Sequence, residues 1–290
     1  MFIISALEIV LRVKFGFCDA PLAISSEKYE YAFAPSQDRH RFGNHVYYNS
    51  YSQRSEEPDS SKIIVLGLGD SVINGGVQTD QSDLATTISS DENIQILNIS
   101  AGSWGPDNCA AYLEEQGTFE AKKMLLVVSS HDAHDIMDFQ PIVGVHASYP
   151  IKQYSFAIVE LFDRYLLPRI YKKKIENLDP DKKVENNVGS IVKGYGQFNP
   201  GFDRLKSIAD SMGIEMAIYL HPDRIELSDG EFNSQGQEII DWAKNNNISL
   251  TSGFEMGESL TTLRDGIHLN QNGQRILANW MKQQTVVFEK

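Results

Sequence analysis

The chain has 290 residues, with 26 lysines and arginines against 39 aspartates and glutamates, and a formal net charge of −13. Its contents of 41% hydrophobic and 22% charged residues are typical of globular proteins, which excludes collagen-like, fully disordered and multi-span membrane classes. An acidic chain repels the phosphate backbone, so we expect no nucleic-acid partner. The two cysteines, Cys18 and Cys109, lie far apart and indicate neither a disulfide framework nor a cysteine-rich metal site.

The N-terminal 17 residues begin with an apolar stretch, but Glu8, Arg12 and Lys14 interrupt it. The stretch is therefore shorter than the roughly 20 apolar residues that a membrane-spanning helix needs. They also lack the basic start and small-residue cleavage site of a standard secretory signal. The pattern predicts an amphipathic helix docked on the domain, with Glu8 and Arg12 paired at i,i+4. Peripheral membrane contact, or the end of a membrane anchor, is the alternative, so the location stays open between cytoplasmic and membrane-associated or cell-envelope.

Residues 1–60 are predicted to form an N-terminal extension packed on the core, and residues 61–290 the main domain. From residue 19 onward the extension is polar and rich in Tyr, Asn, Ser and Arg. Its alternating stretch at 44–55 predicts an edge strand or hairpin.

The main domain alternates short apolar runs with helix-like segments. Continuous apolar runs that end in small or polar residues are typical of buried parallel strands. Four such runs and a weaker fifth occupy residues 62–71, 94–100, 123–130, 215–222 and 248–252. Helix-like segments cover residues 106–119, 202–213, 234–247 and 270–284. This alternation predicts an α/β fold, a flavodoxin-like three-layer sandwich around a mainly parallel five-stranded sheet.

The gap between the third and fourth strands is too long for one crossover helix, which predicts a helical insertion at about residues 139–205. It contains an apolar segment at 155–171 and a charged, Asn-rich run at 172–187, which we interpret as a solvated linker. The insertion follows the carboxyl end of a central strand, where open α/β sheets build their sites. We therefore expect it to form a lid or one wall of a substrate groove.

A serine stands where the first predicted strand ends, in the sequence Gly69-Asp70-Ser71, with Asn74 three residues further on. A serine on a sharp strand-to-helix turn projects its hydroxyl from the edge of the sheet. Ser71 is therefore a candidate nucleophile, and Asp70 and Asn74 are candidate substrate contacts. The alternative is that Ser71 is only a helix N-cap.

Near the C-terminus, Asp265 precedes His268 by three residues, just before the last predicted helix. A carboxylate at this spacing can orient an imidazole and stabilise the imidazolium that forms when the ring accepts a proton. The pair is therefore a candidate base with its orienting group. A surface Asp and His in a turn is the alternative.

Together these motifs resemble the SGNH (GDSL-type) hydrolases over residues 62–282, apart from the insertion. The resemblance makes Ser71 the nucleophile and matches Asp265 and His268 to the family's DxxH block. Residues 98–107 follow the second strand, as the family's glycine block does. Residues 129–132 follow the third strand, where the family has Gly-x-Asn-Asp.

Two positions depart from the family's oxyanion hole, which the resemblance builds from the backbone N–H of the nucleophile Ser71, a glycine and an asparagine. The glycine position falls on Ser103, with Gly102 one residue away, and either can donate a backbone N–H. The asparagine position holds His131. A neutral imidazole has one N–H and can replace the amide when its tautomer is right.

Four histidine and tryptophan side chains are candidates for other roles. His131 and His134 stand at i,i+3 among carboxylates, which a metal could use, although we expect no metal and no cofactor. In the simpler interpretation, His131 faces the site while a neighbouring aspartate caps the following helix. His221, at the end of the fourth strand, and Trp104 are candidate substrate contacts, and each could instead be structural.

The sequence thus predicts a serine esterase that acts on O-acyl, foremost O-acetyl, esters of a carbohydrate through Ser71, His268 and Asp265. The carbohydrate substrate follows from the resemblance alone. The same triad could transfer the acyl group to a sugar hydroxyl, as a polysaccharide O-acetyltransferase does. Two other hypotheses are a non-catalytic carbohydrate-binding protein and a metal-dependent hydrolase. The expected partner is a small-molecule or glycan ester, and the sequence does not indicate an oligomeric state.

Overall fold

A computed structural model describes residues 2–170, 191, 193 and 196–288 of the chain. The N-terminal extension begins with helix α1, Phe2–Phe15. Two antiparallel hairpins follow, β1 (Ala23–Ser26) with β2 (Glu30–Phe33) and β3 (Gln37–Arg41) with β4 (Asn44–Tyr48). The edge strand or hairpin expected at 44–55 is therefore β4, the second arm of the second hairpin.

The core is a five-stranded sheet in the order β6-β5-β7-β8-β9, and every neighbouring pair is parallel. The strands are β5 Ile63–Gly69, β6 Ile94–Ser100, β7 Lys123–Ser129, β8 Glu215–His221 and β9 Ser249–Ser252. The five runs predicted from the sequence are these five strands, and the α/β fold is confirmed. Because the first core strand lies inside the sheet, the chain crosses over in both directions from β5, and the polar ends of the strands meet along one edge.

Eight helices accompany the hairpins and the sheet in the described part of the chain after α1. They are α2 Ser71–Asn74, α3 Ala85–Ser89, α4 Pro106–Gln116, α5 Ala157–Glu160, α6 Gly201–Met212, α7 Arg224–Asp229, α8 Ser234–Asn245 and α9 Gln271–Thr285. Alternate strand residues point to opposite faces of a sheet. Leu66 and Leu126 accordingly join a cluster with α4, α6 and α8, whereas Val65 and Leu125 join one that contains Trp280 of α9. The two clusters are the interiors of a three-layer sandwich.

The chain between β7 and α6 holds the region predicted as an insertion. Residues 139–156 run as turns and irregular chain, and helix α5 continues through a π-helical turn, Leu161–Leu166, to residue 170. The charged run at 172–187 lies outside the described residues. Glu160 of α5 is buried against Arg41 of β3, with 2.6 Å between the carboxylate Oε1 and the guanidinium Nη2. The insertion is thus fastened to the N-terminal extension.

Helix α1 forms the predicted pair between Glu8 and Arg12, with 2.7 Å between the carboxylate and the guanidinium. Its orientation is unusual, because most of its apolar side chains are exposed and Leu11 is the buried one. Across the described residues, no helix combines the length and the apolar character needed to cross a membrane.

Candidate active site

Ser71, His268 and Asp265 form a continuous hydrogen-bonded path at the carboxyl edge of the sheet. Ser71 opens α2 directly after β5, and the other two residues lie on the loop between β9 and α9. The Ser71 Oγ lies 3.0 Å from His268 Nε2, and His268 Nδ1 lies 2.9 Å from Asp265 Oδ2. The structure therefore brings together the three residues that the sequence singled out as nucleophile, base and orienting carboxylate.

The turn that presents Ser71 depends on the two residues before it. A Cβ added to Gly69 would lie 2.5 Å from the carbonyl oxygen of Val127 in β7, so only glycine lets the two strands approach this closely. Asp70 is buried, and its carboxylate accepts the backbone N–H of Val72 at 2.8 Å as the N-cap of α2. The N-cap role thus belongs to Asp70, which leaves the Ser71 hydroxyl available to His268.

Asp265 is held in its charged form by the loop that carries it. Partial burial favours the neutral acid, but backbone N–H groups of His268 and Ile267 donate to Oδ1 at 2.9 and 3.0 Å and, with the imidazole, outweigh it. The net result lowers the pKa of Asp265 to about 2. Its charge therefore faces His268 Nδ1 throughout the neutral range, which favours the tautomer that leaves Nε2 free to accept a proton.

His221 contacts the loop that carries Asp265 and His268 from inside the protein. It is fully buried, its Nε2 lies 2.6 Å from the carbonyl oxygen of Ile267, and its Nδ1 lies 2.7 Å from Glu258 Oε2. Burial lowers the pKa of His221, but the Glu258 carboxylate outweighs that effect and raises it. Because His221 contacts the residue before His268, its position argues against substrate contact and for a role in holding the loop that carries His268.

The other candidate substrate contacts are buried as well. Trp104 is 2% exposed, and its indole N–H donates to the carbonyl of Tyr31 at 2.9 Å. Asn74 is 1% exposed and donates from Nδ2 to the carbonyl of Ser100 at 3.0 Å. With the capping role of Asp70, these contacts favour structural roles for Asp70, Asn74, Trp104 and His221 over the predicted substrate contacts.

Two tyrosines that no sequence motif indicates converge on Gly102. Tyr149, from the insertion, and Tyr31, from the extension, donate their hydroxyls to the Gly102 carbonyl at 2.6 and 3.0 Å. A Cβ added to Gly102 would lie 2.6 Å from the Tyr149 oxygen and 3.9 Å from the Ser71 Cβ. Gly102 is therefore close to Ser71, and glycine is required there because a side chain would displace Tyr149.

A buried arginine of the extension fixes the chain that follows α2. Arg54 is fully buried and donates to the carbonyl oxygens of Asn74 and Thr79 at 2.6 Å each, and also to that of Gly76. Burial lowers the pKa of Arg54. Three carbonyls on one planar guanidinium fix the turn beyond Ser71, and no local motif in the sequence signals this contact.

His131 lies among three carboxylates. Its Nε2 is 3.8 Å from Asp70, 3.9 Å from Asp132 and 3.9 Å from Asp135. Burial lowers the pKa of His131, but these charges outweigh it and raise the pKa. Asp132 does cap the short 3₁₀ turn after β7, where its Oδ2 accepts the N–H of Ser129 at 2.7 Å. Burial raises the pKa of Asp132 to about 8, although the imidazole opposes this.

The structure separates the two histidines that suggested a metal pair. His134 Nε2 lies 2.8 Å from Glu238 Oε2. Among the described residues, the donor atoms that could hold an ion are those of Asp70, His131 and Asp132, all within 4.8 Å of one another. A nitrogen and two carboxylate oxygens suit a divalent transition-metal ion.

The arrangement brings together three groups that acyl transfer uses: a hydroxyl, a base in contact with it and a carboxylate behind the base. No family model matches the chain, and no curated protein matches it.

Several solved structures superpose on the chain at low sequence identity. An acetyl xylan esterase, AlAXEase, is 14% identical with a TM-score of 0.46, over 77% of this chain and 100% of its own. A lipolytic protein of the G-D-S-L family from Veillonella parvula DSM 2008 is 11% identical with a TM-score of 0.40, over 78% and 98%. A mutant of Axe2, an acetyl-xylooligosaccharide esterase from Geobacillus Stearmophilus, is 13% identical with a TM-score of 0.40, over 79% and 97%. The chain thus resembles GDSL-type lipolytic proteins and esterases.

Proposed function

We propose that the protein is a serine ester hydrolase of the SGNH (GDSL) type. The observation that carries the proposal is the path from the Ser71 Oγ to His268 Nε2, at 3.0 Å, and from His268 Nδ1 to Asp265, at 2.9 Å. Contacts this short let a proton move directly from the hydroxyl to the imidazole. A serine that is only a helix cap would not need such a partner, and here Asp70 caps the helix.

In the proposed mechanism, His268 Nε2 takes the proton of Ser71 as the Oγ attacks the ester carbonyl. The imidazolium is stabilised by Asp265, whose carboxylate stays ionised through the neutral range. Collapse of the tetrahedral intermediate breaks the bond to the alcohol, which takes the proton back from His268. The acyl group then remains on Ser71 until an acceptor, activated by the same imidazole, attacks it.

The charge on the tetrahedral oxygen would be stabilised by backbone N–H groups of Ser71 and of Gly102 or Ser103, with His131 as the side-chain donor. Gly102 is adjacent to Ser71, and its carbonyl is held by Tyr31 and Tyr149. Losing one donor of this kind costs about 10²–10³ in rate. His131→Ala should therefore slow turnover without abolishing it.

As the substrate we propose an O-acetyl ester of a carbohydrate, with water as the acceptor. This substrate class follows from the family resemblance alone, because SGNH-type proteins that carry both an N-terminal extension and a helical insertion resemble carbohydrate-modifying enzymes. If a sugar hydroxyl replaced water in the second step, the same residues would perform O-acetyl transfer. Product analysis with acetylated oligosaccharides, with and without an unacetylated acceptor, distinguishes the two.

The first test uses a fluorophosphonate probe, which labels an activated serine whatever the natural substrate. We expect one adduct on Ser71 by mass spectrometry, lost in Ser71→Ala and in His268→Ala. Ser228→Ala, which changes an exposed serine hydrogen-bonded to the Arg224 carbonyl, is the matched control and should be labelled normally. Folded protein that gives no adduct would overturn the proposal and favour the carbohydrate-binding hypothesis.

A chelator tests the competing metal-dependent hydrolase. The proposed mechanism moves its proton and its acyl group through side chains alone, so chelator-treated protein should label at the same rate as untreated protein. Loss of labelling that Zn²⁺ restores would instead assign a catalytic role to an ion held by Asp70, His131 and Asp132.

A further inference from the structure

Helix α1 contacts the rest of the protein through its polar side. The Glu8 carboxylate accepts the backbone N–H groups of Ala157 and Ile158, at 2.8 and 3.0 Å, at the start of α5. Arg12 donates to the carbonyl of Ser155 at 2.6 Å and to Glu8 at 2.7 Å. The side chains that a surface helix normally turns to water therefore attach α1 to the insertion.

Most of the described apolar side chains of α1 point away from the protein, with Leu11 as the buried exception. Four of them, spread over the length of the helix, are 46% to 85% exposed: Ile3, Ile9, Val10 and Val13. With 3.6 residues per turn, the exposed apolar positions of α1 cover about two thirds of its circumference. A surface helix in water shows the opposite distribution, because apolar area in contact with water is unfavourable.

The neighbouring segment, residues 156–170, also exposes apolar side chains. Its exposed apolar side chains are Phe156 at 62%, Val159 at 50%, Phe162 at 51% and Ile170 at 59%. Leu11 of α1 and Ala157 of this segment belong to one small buried cluster, so the two elements are packed together. We call α1 and residues 156–170 the apolar platform.

Buried ion pairs attach the platform to the rest of the domain. Arg41 and Glu160 are each 1% exposed and form an ion pair at 2.6 Å, and Arg164 also donates to the Glu160 carboxylate at 2.6 Å. The Arg41 guanidinium lies 4.7 Å from the ring centroid of Phe17. These buried contacts keep the platform in a fixed orientation on the domain.

The charges on the platform differ from those of the chain as a whole. The chain carries −13, yet the platform's Glu8 is paired with Arg12 and its Glu160 is paired with buried arginines. Lys14 and Arg169 are both exposed on the platform, and its exposed carboxylate, Asp163, contacts the Tyr154 hydroxyl. Cations therefore outnumber carboxylates on the platform by four to three. Apolar side chains bordered by cations are typical of helices that lie in the interface of an anionic bilayer.

We propose that the apolar platform docks on a membrane surface, with α1 and residues 156–170 lying in the interfacial layer of anionic lipids. A fluid lipid layer can cover the wide apolar arc of α1, whereas a rigid protein partner covers one side of a helix. Docking would hold the domain at the membrane in one orientation, because the platform is fixed to the core through Arg41 and Glu160. The inference does not depend on the chemistry at Ser71.

The test is co-sedimentation of the full chain with phosphatidylcholine vesicles, with and without phosphatidylglycerol. We expect binding that strengthens when the anionic lipid is present. The double variant Ile9→Glu with Val13→Glu should bind the vesicles at least about tenfold more weakly than the wild type. Two large aliphatic side chains are lost, and two charges enter the interface. Lys14→Glu with Arg169→Glu should remove the preference for anionic lipid.

The matched control is Val287→Glu, which places the same charge on a residue 62% exposed in the C-terminal turn Val286–Phe288. It should bind vesicles like the wild type, and all variants should keep fluorophosphonate labelling of Ser71. Equal binding by the wild type and the double variant would overturn the proposal. So would light scattering that shows a wild-type dimer dissociated by the double variant, because a second copy of the chain would then cover the platform.

Discussion

The hydroxyl of Tyr149 donates a 2.6 Å hydrogen bond to the carbonyl oxygen of Gly102, which lies beside Ser71 in the folded chain. Tyr31 donates to the same oxygen at 3.0 Å. Because a peptide group is planar, the two phenols that fix this carbonyl also fix the N–H of Ser103, which belongs to the same peptide group. The extension and the insertion, which lie far apart in the sequence, thus both set the geometry of the proposed oxyanion hole.

Tyr149→Phe should therefore slow the reaction at Ser71. A hydrogen bond of this kind contributes a net 0.5–1.5 kcal/mol, so we expect a rate of fluorophosphonate labelling reduced about two- to tenfold. The measurement is the labelling rate constant at saturating and at limiting probe. Tyr154→Phe is the control, because Tyr154 lies in the same insertion and its hydroxyl contacts Asp163. Equal rates for the wild type and Tyr149→Phe would show that Tyr149 does not position the hole.

Arg54 should be needed for both stability and reactivity. It donates to the carbonyls of Asn74, Gly76 and Thr79, and a lysine ammonium lacks the planar fork that reaches all three. Arg54→Lys should therefore lower the free energy of unfolding by about 2 kcal/mol or more, because buried carbonyls lose their donors. Urea denaturation measures this loss, and the labelling rate should fall with it.

The control for Arg54 is Arg39→Lys. Arg39 pairs with Asp19 at 3.3 Å near the surface, where such substitutions usually change stability by about 0.5 kcal/mol or less. If the two variants lost the same stability, the three carbonyl contacts would not be responsible for it.

The sheet and the three residues at its edge could be predicted because their signals are local. Each buried strand is a short apolar run, and Ser71 directly follows such a run. The loop pair Asp265 and His268 is compact enough for its geometry to follow from a spacing of three residues. Parallel strands place all their carboxyl ends at one edge, so predicting the strands also predicted that these loops meet.

The supports of the site could not be predicted because they join distant parts of the chain. Tyr149 and Arg54 act through backbone carbonyls, which leave no motif. His221 and Trp104 were expected at the groove because of where they stand in the sequence, but burial and their hydrogen bonds turn them inward. The outward orientation of the apolar side of α1 could not be predicted either, because a periodic pattern of apolar residues does not show which side of a helix faces the protein.

Asp265→Asn should change the pH dependence of stability as well as the reaction. The pKa of Asp265 is lowered to about 2 in the folded protein, against about 3.9 for a free aspartate. The folded state therefore gains stability from the ionised carboxylate above about pH 4, and it loses this gain as the pH falls through about 2. The difference in unfolding free energy between wild type and Asp265→Asn should be constant above about pH 4 and shrink toward pH 2.

Urea denaturation from pH 2 to pH 6 measures that difference, and Asp241→Asn, which changes an exposed residue of helix α8, serves as the control. The labelling rate of Asp265→Asn at neutral pH should fall by roughly 10²–10⁴, because the imidazole loses its orienting charge. A difference in stability that does not change between pH 6 and pH 2 would mean that the Asp265 carboxylate is not stabilised by its loop.

Glu160→Gln should be the most destabilising of these substitutions. Glu160 and Arg41 are each 1% exposed, and the Glu160 carboxylate also accepts the backbone N–H of Cys18 at 2.6 Å. The amide leaves the Arg41 guanidinium buried without its countercharge, and breaking a buried pair in this way costs about 3–5 kcal/mol.

Asp163→Asn, which changes an exposed carboxylate on the same helical segment, should cost far less. Urea denaturation compares the two, and hydrogen exchange in α1 should accelerate in Glu160→Gln alone. A loss of less than about 1 kcal/mol would show that the platform is not held to the core through this pair.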